Sequence, residues 1–294
     1  MDVPPPHRYR SSDEDSARWD DVALRPGDVV VSTRSKHGTT WAQAICLHLL
    51  HGPGPLPSPL PVLAPWVHHL VEPLDEVAAR LAAQEHRRVL KTHTPLDGVP
   101  LVDGVTYVVA ARHPLDAAVS LLHQGDNIDR AALARLTGAP PPPPRARPSP
   151  EEWLARWVGV DPDPREALDS LPGVGHHLRD AWDRRSGPHG VVLVHYADLL
   201  ADLPGQVRRL ADHLDLDAPD ERVAAVAATT TFSAMRGRAD EVAPDSGVLR
   251  DRRAFFRGGR SGDGSRAASP AVRERYDERV PTLFPDDLSD WLHR

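Results

Sequence analysis

A ten-residue segment combines residue types that bind anions: Ser32-Thr33-Arg34-Ser35-Lys36-His37-Gly38-Thr39-Thr40-Trp41. It follows an apolar run at 28–31 and precedes an apolar stretch at 42–50, which predicts a buried strand, a tight turn and an amphipathic helix. A turn that leads into a helix N-terminus gathers unpaired backbone N–H groups around an anion. Lys36 adds a positive charge, and the two threonines add hydroxyl donors. The sequence therefore predicts a phosphate-binding loop, with a basic turn that binds nothing as the alternative.

This loop differs from the one that binds ATP or GTP. That loop reads G-x-x-x-x-G-K-[ST], with its lysine directly after a glycine. Here Lys36 comes two residues before Gly38, and no glycine opens the turn. A lysine in this place reaches a different part of the ligand, so an ATP-dependent loop is not predicted.

A histidine follows the second apolar run, in Lys91-Thr92-His93-Thr94-Pro95. The carboxyl ends of parallel strands meet in one crevice, so Lys91 and His93 are expected beside the Lys36 loop. A histidine there can act as a general base, because its ordinary pKa lies near neutrality. The alternative is a surface histidine, one of the 16 in this chain.

Arg112 follows the third apolar run, and Pro114 suits the first turn of a helix. Ser120 lies about two helical turns beyond Arg112. Arginine and serine can together hold a second phosphate. A surface ion pair between Arg112 and Asp116 is the alternative.

Apolar, β-branched runs alternate with helical patterns along the chain. This alternation predicts an α/β fold: a single domain with a central parallel β-sheet flanked by helices, of the P-loop nucleotide-binding type. The predicted strands are 29–31, 88–91, 105–110 and 191–194. The predicted helices are 39–50, 75–84, 115–123, 151–158, 176–185 and 205–214.

Three segments depart from this alternation. Residues 1–20 are polar and are expected to be loosely ordered, so the domain is assigned to 21–294. Residues 139–150 include five consecutive prolines and are interpreted as an exposed, proline-rich insertion. Residues 236–268 are rich in arginine, glycine, aspartate and serine, and are expected to form a long loop that a ligand orders.

Composition narrows the classes of function. The 294 residues are 40% hydrophobic with a formal net charge of −7, so a nucleic-acid partner is not expected. The single cysteine, Cys46, allows no internal disulfide. No signal-peptide pattern and no membrane-length apolar run is visible, so a cytoplasmic protein without stable membrane insertion is expected. The pairs His68-His69 and His176-His177 are predicted on helices, where neighbours point apart, and no metal is expected. A homodimer is left open.

Together, the three strand-end segments resemble the cytosolic-type sulfotransferases. That family reads P-K-S-G-T-T-W in the first loop, K-T-H after the second strand, and R-[NHD]-P-x-D-x-x-V-S after the third. Later signatures Y-E-D, T-S-F-x-x-M and F-x-R-K-G-x-x-G-D-W are similar to 196–198, 230–235 and 255–264. The stretches 91–100 and 127–130 look closest to bacterial glycolipid sulfotransferases.

The resemblance implies a donor, 3′-phosphoadenosine-5′-phosphosulfate, and a role for each matching residue. The 5′-phosphosulfate would be held by Lys36, His37, Gly38, Thr39 and Thr40. The adenine would be contacted by Trp41, Phe232 and Tyr196. The 3′-phosphate would be bound by Arg112, Ser120, Arg257, Gly258 and Gly259, under a nucleotide-covering loop at 236–268. The catalytic residues would be His93 as the base, Lys36 at the bridging oxygen and Lys91 in support.

Four positions depart from the family pattern. His37 stands in place of serine and can still donate a hydrogen bond, and Ser35 stands in place of proline. Gly258 replaces a common lysine, which removes one cation from the 3′-phosphate site. Gly264 replaces a common tryptophan.

The acceptor is expected to be a small apolar or amphipathic molecule with a hydroxyl group, with a glycolipid among the options. Candidate pocket residues are Trp66, Leu70, Leu121, His123, Trp153, Trp157 and Phe256. Trp153 and Trp157 share one helical face, a pattern that favours core packing over a substrate wall. Two other functions are weighed: a P-loop kinase-like phosphoryl transferase, and a non-catalytic nucleotide-binding module. The latter would tolerate loss of Lys36 or His93, and both are present.

Overall fold

The structure is a computed structural model that describes residues 7–140, 143, 146–244 and 247–294. Its centre is a parallel sheet of β1 (Val29–Ser32), β2 (Val89–Thr92), β3 (Thr106–Ala111) and β4 (Gly190–His195). The strands lie in the order β2-β1-β3-β4. The chain runs from β1 to one neighbour and then crosses to the other, so the crevice at the carboxyl ends opens beside β1.

Helices connect the strands and cover both faces of the sheet. Their bounds are α1 Thr39–His51, α2 Leu60–Leu63, α3 Leu74–Ala82, α4 Pro114–Asn127, α5 Arg130–Thr137, α6 Pro150–Gly159, α7 Leu171–Arg184, α8 Tyr196–Ala201, α9 Leu203–His213, α10 Asp220–Thr229, α11 Phe232–Gly237, α12 Ala239–Val242, α13 Arg252–Phe255, α14 Asp263–Ala267, α15 Pro270–Leu283 and α16 Asp286–Leu292, with 3-10 helices at Ser16–Asp21 and Leu96–Gly98.

Alternate residues of a strand point to opposite faces, and each face has its own core. Val29 and Val31 pack with Ile45 of α1 in one core. Val30 packs with Leu178 of α7 in the other. Burial on both faces explains why the strands are continuous apolar runs.

The predicted sheet and all the predicted strands and helices are present, with different bounds. Helix α4 runs on to Asn127, and α7 begins at Leu171 rather than 176. The Ser170 side chain caps α7 by accepting a hydrogen bond from the Gly173 N–H. The proline and glycines of this first turn hide the start of the helix in the sequence.

The N-terminal segment is packed over residues 7–20, which differs from the loosely ordered segment expected there. Trp19 is 1% exposed, and the Tyr9 hydroxyl donates a hydrogen bond to Asp97 over 2.7 Å and contacts His176. Two aromatic anchors in a polar stretch are enough to dock it. Residues 1–6 lie outside the described residues.

The two other unusual segments also contain helical turns. Residues 141, 142, 144 and 145 of the proline-rich insertion lie outside the described residues, and its last residue, Pro150, begins α6. The 236–268 segment carries α12, α13 and α14, and it buries Val242, Val248 and Phe256. It therefore has more apolar anchors than its composition suggests. Within the described ranges, no helix is long and apolar enough to cross a bilayer.

Candidate functional site

A cavity of about 520 Å³ opens at the carboxyl ends of the strands. Residues that follow each of the four strands line it: Lys36 after β1, His93 after β2, Arg112 after β3 and Tyr196 after β4. The strand-end rule therefore brings together side chains that are far apart in sequence.

The loop after β1 has the backbone of an anion site. Lys36 has φ 69° and Gly38 has φ 108°, so both lie in the left-handed region. That region is uncommon for a residue with a side chain, and such outliers cluster at functional sites. A Cβ at Gly38 would lie 3.3 Å from the Tyr196 ring. Helix α1 begins directly after Gly38 without a side-chain cap, which leaves its first N–H groups open to a ligand.

Lys36 lies in a concentration of positive charge. Its Nζ donates to Gln124 Oε1 over 3.1 Å and lies 4.0 Å above the Phe255 ring. Burial, followed by the charges of Arg112 and Arg257, lowers the pKa of Lys36 to about 7. An anion placed among these three cations would relieve their repulsion.

Arg112 faces the cavity and is 6% exposed. One guanidinium nitrogen donates to the Arg260 carbonyl over 2.7 Å, and the group lies 4.4 Å above the Tyr196 ring. Asp116 is 3.7 Å away but accepts its hydrogen bonds from the backbone of Gly262 and Gly264. The surface ion pair is therefore not the main role of Arg112, and Asp116 fixes the turn that begins α14.

The segment 257–259 closes one side of the cavity. Arg257 donates to Asp263 over 2.5 Å, while its Nε, like that of Arg112, has no partner within the described part of the chain. Gly259 has φ 61°, and a Cβ there would lie 2.4 Å from the Phe232 ring. The predicted residues Ser120, Gly258 and Trp41 line the same cavity.

His93 is 6% exposed and its ring has a fixed orientation. Its Nδ1 lies against the Thr33 carbonyl, which can only accept, so Nδ1 carries the proton and Nε2 keeps its lone pair. Arg34 donates to the His93 carbonyl and, over 2.6 Å, to Asp169. Burial and then the Lys91 charge hold the pKa of His93 well below its usual range, which keeps the imidazole neutral.

Lys91 lies on the same side of the cavity, with Nζ 3.4 Å above the Trp66 ring. Burial lowers its pKa to about 7, although the nearby Glu14 carboxylate acts in the opposite direction. The two lysines and the histidine predicted as catalytic thus line one cavity.

The structure places His37 differently from the prediction. Its side chain is 0% exposed and does not line the cavity, and its Nδ1 lies 3.0 Å from the Ser35 carbonyl. Burial lowers the pKa of His37 to about 4, so the ring is neutral. With Lys36 in the left-handed region the chain turns at this point, and the ring packs beneath the loop. The predicted contact of this imidazole with the nucleotide is not supported.

The candidate acceptor residues divide into two groups. Trp66, Leu121 and Phe256 line the cavity, whereas Leu70 and His123 do not. Trp157 packs in a hydrophobic core and Trp153 packs against it, with indole N–H groups that donate to the carbonyls of Asp169 and Ala118 respectively. Core packing, the interpretation that the sequence favours for this pair, is what the structure has.

Sequence reasoning missed several residues that line the cavity. Gln124 lies one turn beyond Ser120 on α4, and this spacing could have identified it. Glu14 and Asp13 come from the N-terminal segment, where no periodic pattern predicted a wall of a cavity.

The two histidine pairs have structural partners. His176 and His177 lie on α7 as predicted, but His68 and His69 lie in a turn rather than a helix. His68 contacts the Thr92 hydroxyl over 2.9 Å, and His69 stacks on Trp66. Among the residues that the structure describes, no group of three or more His, Cys, Asp or Glu side chains is arranged to hold a metal ion.

An anion loop, clustered cations and a neutral histidine in one cavity are typical of enzymes that transfer a charged group.

Comparison with known proteins identifies the family of enzymes to which the chain belongs. The family described as "Sulfotransferase domain" matches residues 26–286. A glycolipid sulfotransferase of Mycobacterium bovis (strain BCG / Pasteur 1173P2) is 40% identical over 306 aligned positions, which cover 97% of this chain and 93% of the relative. Human sulfotransferase 2B1 is 26% identical over 263 positions, covering 86% of this chain and 65% of the relative.

Solved structures agree on the fold. Mouse sulfotransferase SULT7A1 complexed with PAP superposes with a TM-score of 0.68 at 19% identity, over 94% of this chain and 91% of that one. Retinol dehydratase in complex with androsterone and inactive cofactor PAP has the same TM-score and identity, and the superposition covers 93% of this chain and 87% of that one. The chain belongs to the sulfotransferase family, and the predicted α/β fold is confirmed.

Proposed function

We propose that this sulfotransferase moves a sulfuryl group from 3′-phosphoadenosine-5′-phosphosulfate to a hydroxyl of an apolar or amphipathic acceptor, with a glycolipid as the favoured candidate. The observation that carries the proposal is the meeting of Lys36, Lys91 and His93 in one cavity. Cations where charge develops and a neutral base beside them are the two things that sulfuryl transfer to a hydroxyl needs.

The nucleotide end of the cavity suits a ligand with phosphate groups. The charges of Arg112 and Arg257 act on Lys36 there, and the Nε–H groups of both arginines are buried with no partner among the described residues. Buried donors without acceptors are costly, and phosphate oxygens would satisfy them. The solved structures of retinol dehydratase and mouse SULT7A1 are complexes with PAP, and this supports a donor of the same nucleotide type. Trp41, Tyr196 and Phe232 supply aromatic surface for a purine.

The chemistry divides between three side chains. The bound donor supplies a sulfonate joined to the 5′-phosphate through a bridging oxygen. His93 accepts the hydroxyl proton of the acceptor on Nε2, the nitrogen left free by the Nδ1 contact with Thr33. Lys36 places its ammonium among the groups that hold the phosphates, where charge grows on the leaving oxygen, and Lys91 adds a second cation.

The cavity lining also contains residues of two further kinds. Its apolar residues include Leu121, Ile128, Leu133, Val248 and Leu249. Its polar residues include Arg10, Ser11, Asp13, Glu14, Arg165, Glu166 and Asp169. A lining of both kinds fits an amphipathic acceptor, and the names of the 40% identical relatives favour a glycolipid.

The direct test is transfer of ³⁵S from the labelled donor to a defined panel. The panel holds a synthetic glycolipid, its free sugar and its lipid alcohol. We expect label on the glycolipid above both fragments. A protein that binds adenosine 3′,5′-bisphosphate but labels no hydroxyl compound would instead be a non-catalytic nucleotide-binding module.

Ligand binding separates the proposal from the kinase alternative. A ligand that binds only the folded protein raises the melting temperature. Adenosine 3′,5′-bisphosphate should raise it strongly, and AMP and ATP–Mg²⁺ much less, because only the first ligand offers a 3′-phosphate to Arg112 and Ser120. Equal shifts from the bisphosphate and AMP would remove the 3′-phosphate assignment.

A further inference from the structure

The chain contains only two lysines, Lys36 and Lys91, and both line the cavity. Lys36 has a hydrogen-bond acceptor in Gln124. Lys91 is only 6% exposed, so water compensates little of its charge. Within the described residues, its ammonium has no hydrogen-bond acceptor and no carboxylate in contact. A buried cation needs some compensating partner. The group that the ammonium does contact is the Trp66 ring, 3.4 Å from its centroid.

Backbone pairing puts the ring in this place. Residues 65–67 run beside β2, where the Lys91 N–H donates to the Pro65 carbonyl over 2.9 Å and the Val67 N–H donates to the Lys91 carbonyl over 3.1 Å. Trp66 is thereby the direct parallel neighbour of Lys91. Neighbouring side chains on adjacent strands point to the same side, so the indole covers the lysine.

The indole is itself held on its other sides. His69 stacks on it with centroids 3.9 Å apart and an interplanar angle of 9°. The His69 ring and the ammonium are both within 4 Å of the same centroid, so they must occupy opposite faces of the indole. The indole N–H lies 3.2 Å from the His68 imidazole, and the His93 ring meets the indole edge-on at 4.7 Å.

We propose that Trp66 is a positioning residue that fixes the Lys91 ammonium in the reacting centre by cation–π attraction, with His69 stacked behind it to keep the indole in place. An aromatic face attracts a cation most strongly where water is excluded, and tryptophan is the best such face. The role assigned to Lys91 in catalysis rests on the proposed function, but the contact itself does not.

The test uses protein labelled with ¹³C on the lysine side chains, because two lysines give two ε-CH₂ signals in an NMR spectrum. Lys36→Arg assigns them. In the wild type we expect the Lys91 ε-protons to be shifted upfield by the indole ring current. Trp66→Leu should abolish that shift and lower the pKa of Lys91 by about one unit, because the ammonium loses its partner. Trp66→Phe should give intermediate values.

The control is Trp153→Leu, which removes a partly buried indole that does not line the cavity and should leave both lysine signals in place. An unchanged or higher pKa of Lys91 in Trp66→Leu would mean that the indole only excludes water, and would overturn the proposal. If Trp66→Leu does not fold, His69→Ala answers the question, since it frees one face of the indole and should reduce the upfield shift. None of these readouts needs turnover, so they stand even if no sulfuryl transfer is detected.

Discussion

His93 has one nitrogen committed and one free, which makes its role testable. His93→Ala should lower turnover by about 10²–10⁴-fold, the usual contribution of a general base. Binding of adenosine 3′,5′-bisphosphate should stay nearly unchanged, because the base acts on the acceptor. Turnover and calorimetric affinity are measured together, with the exposed His213→Ala as the control. Near-normal turnover in His93→Ala would place the base elsewhere.

Lys36 should gain a proton when an anion binds. Its pKa is about 7 while it faces Arg112 and Arg257 alone, and nearby phosphates should raise it. At about pH 8, where free nucleotide phosphates are already fully ionised, binding should therefore take up protons. Calorimetry in two buffers of different ionisation enthalpy counts them.

The matched variant for this measurement is Lys36→Arg, whose guanidinium is charged throughout and should lower the uptake. Proton release on binding in the wild type would contradict an anion site around Lys36.

Residue types and strand-end placement were enough to predict Lys36, Lys91, His93 and Arg112 as members of one site. They could not predict His37. Its ring direction depends on the left-handed backbone at Lys36 and on the space beneath the loop, and neither is visible in a local pattern. Asp13 and Glu14 could not be predicted as cavity residues either, because long-range docking of the N-terminal segment brings them there.

The segment that carries 257–259 meets α11 at very close range. A Cβ at Gly259 would enter the Phe232 ring, whereas a Cβ at Gly258 would lie 3.5 Å from its nearest neighbour, Asp263. Gly259→Ala should therefore displace this segment or Phe232 and weaken nucleotide binding by tenfold or so, the effect of about 1.4 kcal/mol. Gly258→Ala is the matched control and should bind normally. Equal affinities for the two variants would show that the close approach is not needed.

The same segment offers a gain-of-function test. Gly258→Lys restores the cation that the family commonly has, and the glycine has ordinary van der Waals room around it. We expect tighter binding of adenosine 3′,5′-bisphosphate and no change for AMP, as measured by calorimetry. Equal gains for both nucleotides would mean that the new charge does not reach a 3′-phosphate.

Elements with strong periodicity were predicted well, and their ends were not. Helix α7 starts in Leu171-Pro172-Gly173, a sequence that reads as a turn until the Ser170 cap is seen. The 236–268 segment looked structureless because its turns are short and its apolar anchors are widely spaced. Its ordering by a nucleotide stays a prediction.

Buried histidines make the stability of the whole molecule sensitive to acid. Six of the described histidines are each at most 6% exposed, and burial lowers the pKa of each below its ordinary value: His37, His48, His69, His93, His177 and His195. The unfolded chain binds protons at these positions below about pH 6.5, and the folded protein does not. The free energy of unfolding should therefore be retained above that pH and fall as the pH drops toward about 4.

The free energy of unfolding, measured with urea, should be several kcal/mol smaller at pH 6.0 than at pH 7.5, because each of these histidines contributes up to about 1 kcal/mol. His177→Gln, which cannot titrate, should reduce the pH dependence by the share of one histidine. A free energy of unfolding that is the same at both pH values would show that these rings are accessible to protons in the folded state.

The short run 65–67 has a consequence for the behaviour of the protein in concentrated solution. Strand β2 is one of the two outer strands of the sheet, and an uncovered outer strand is a template on which other chains can add. Residues 65–67 occupy the outward N–H and carbonyl of Lys91 and so cover this part of the strand. Substitutions that unseat this run should first be seen as self-association at high protein concentration, while the secondary structure of each molecule is still intact.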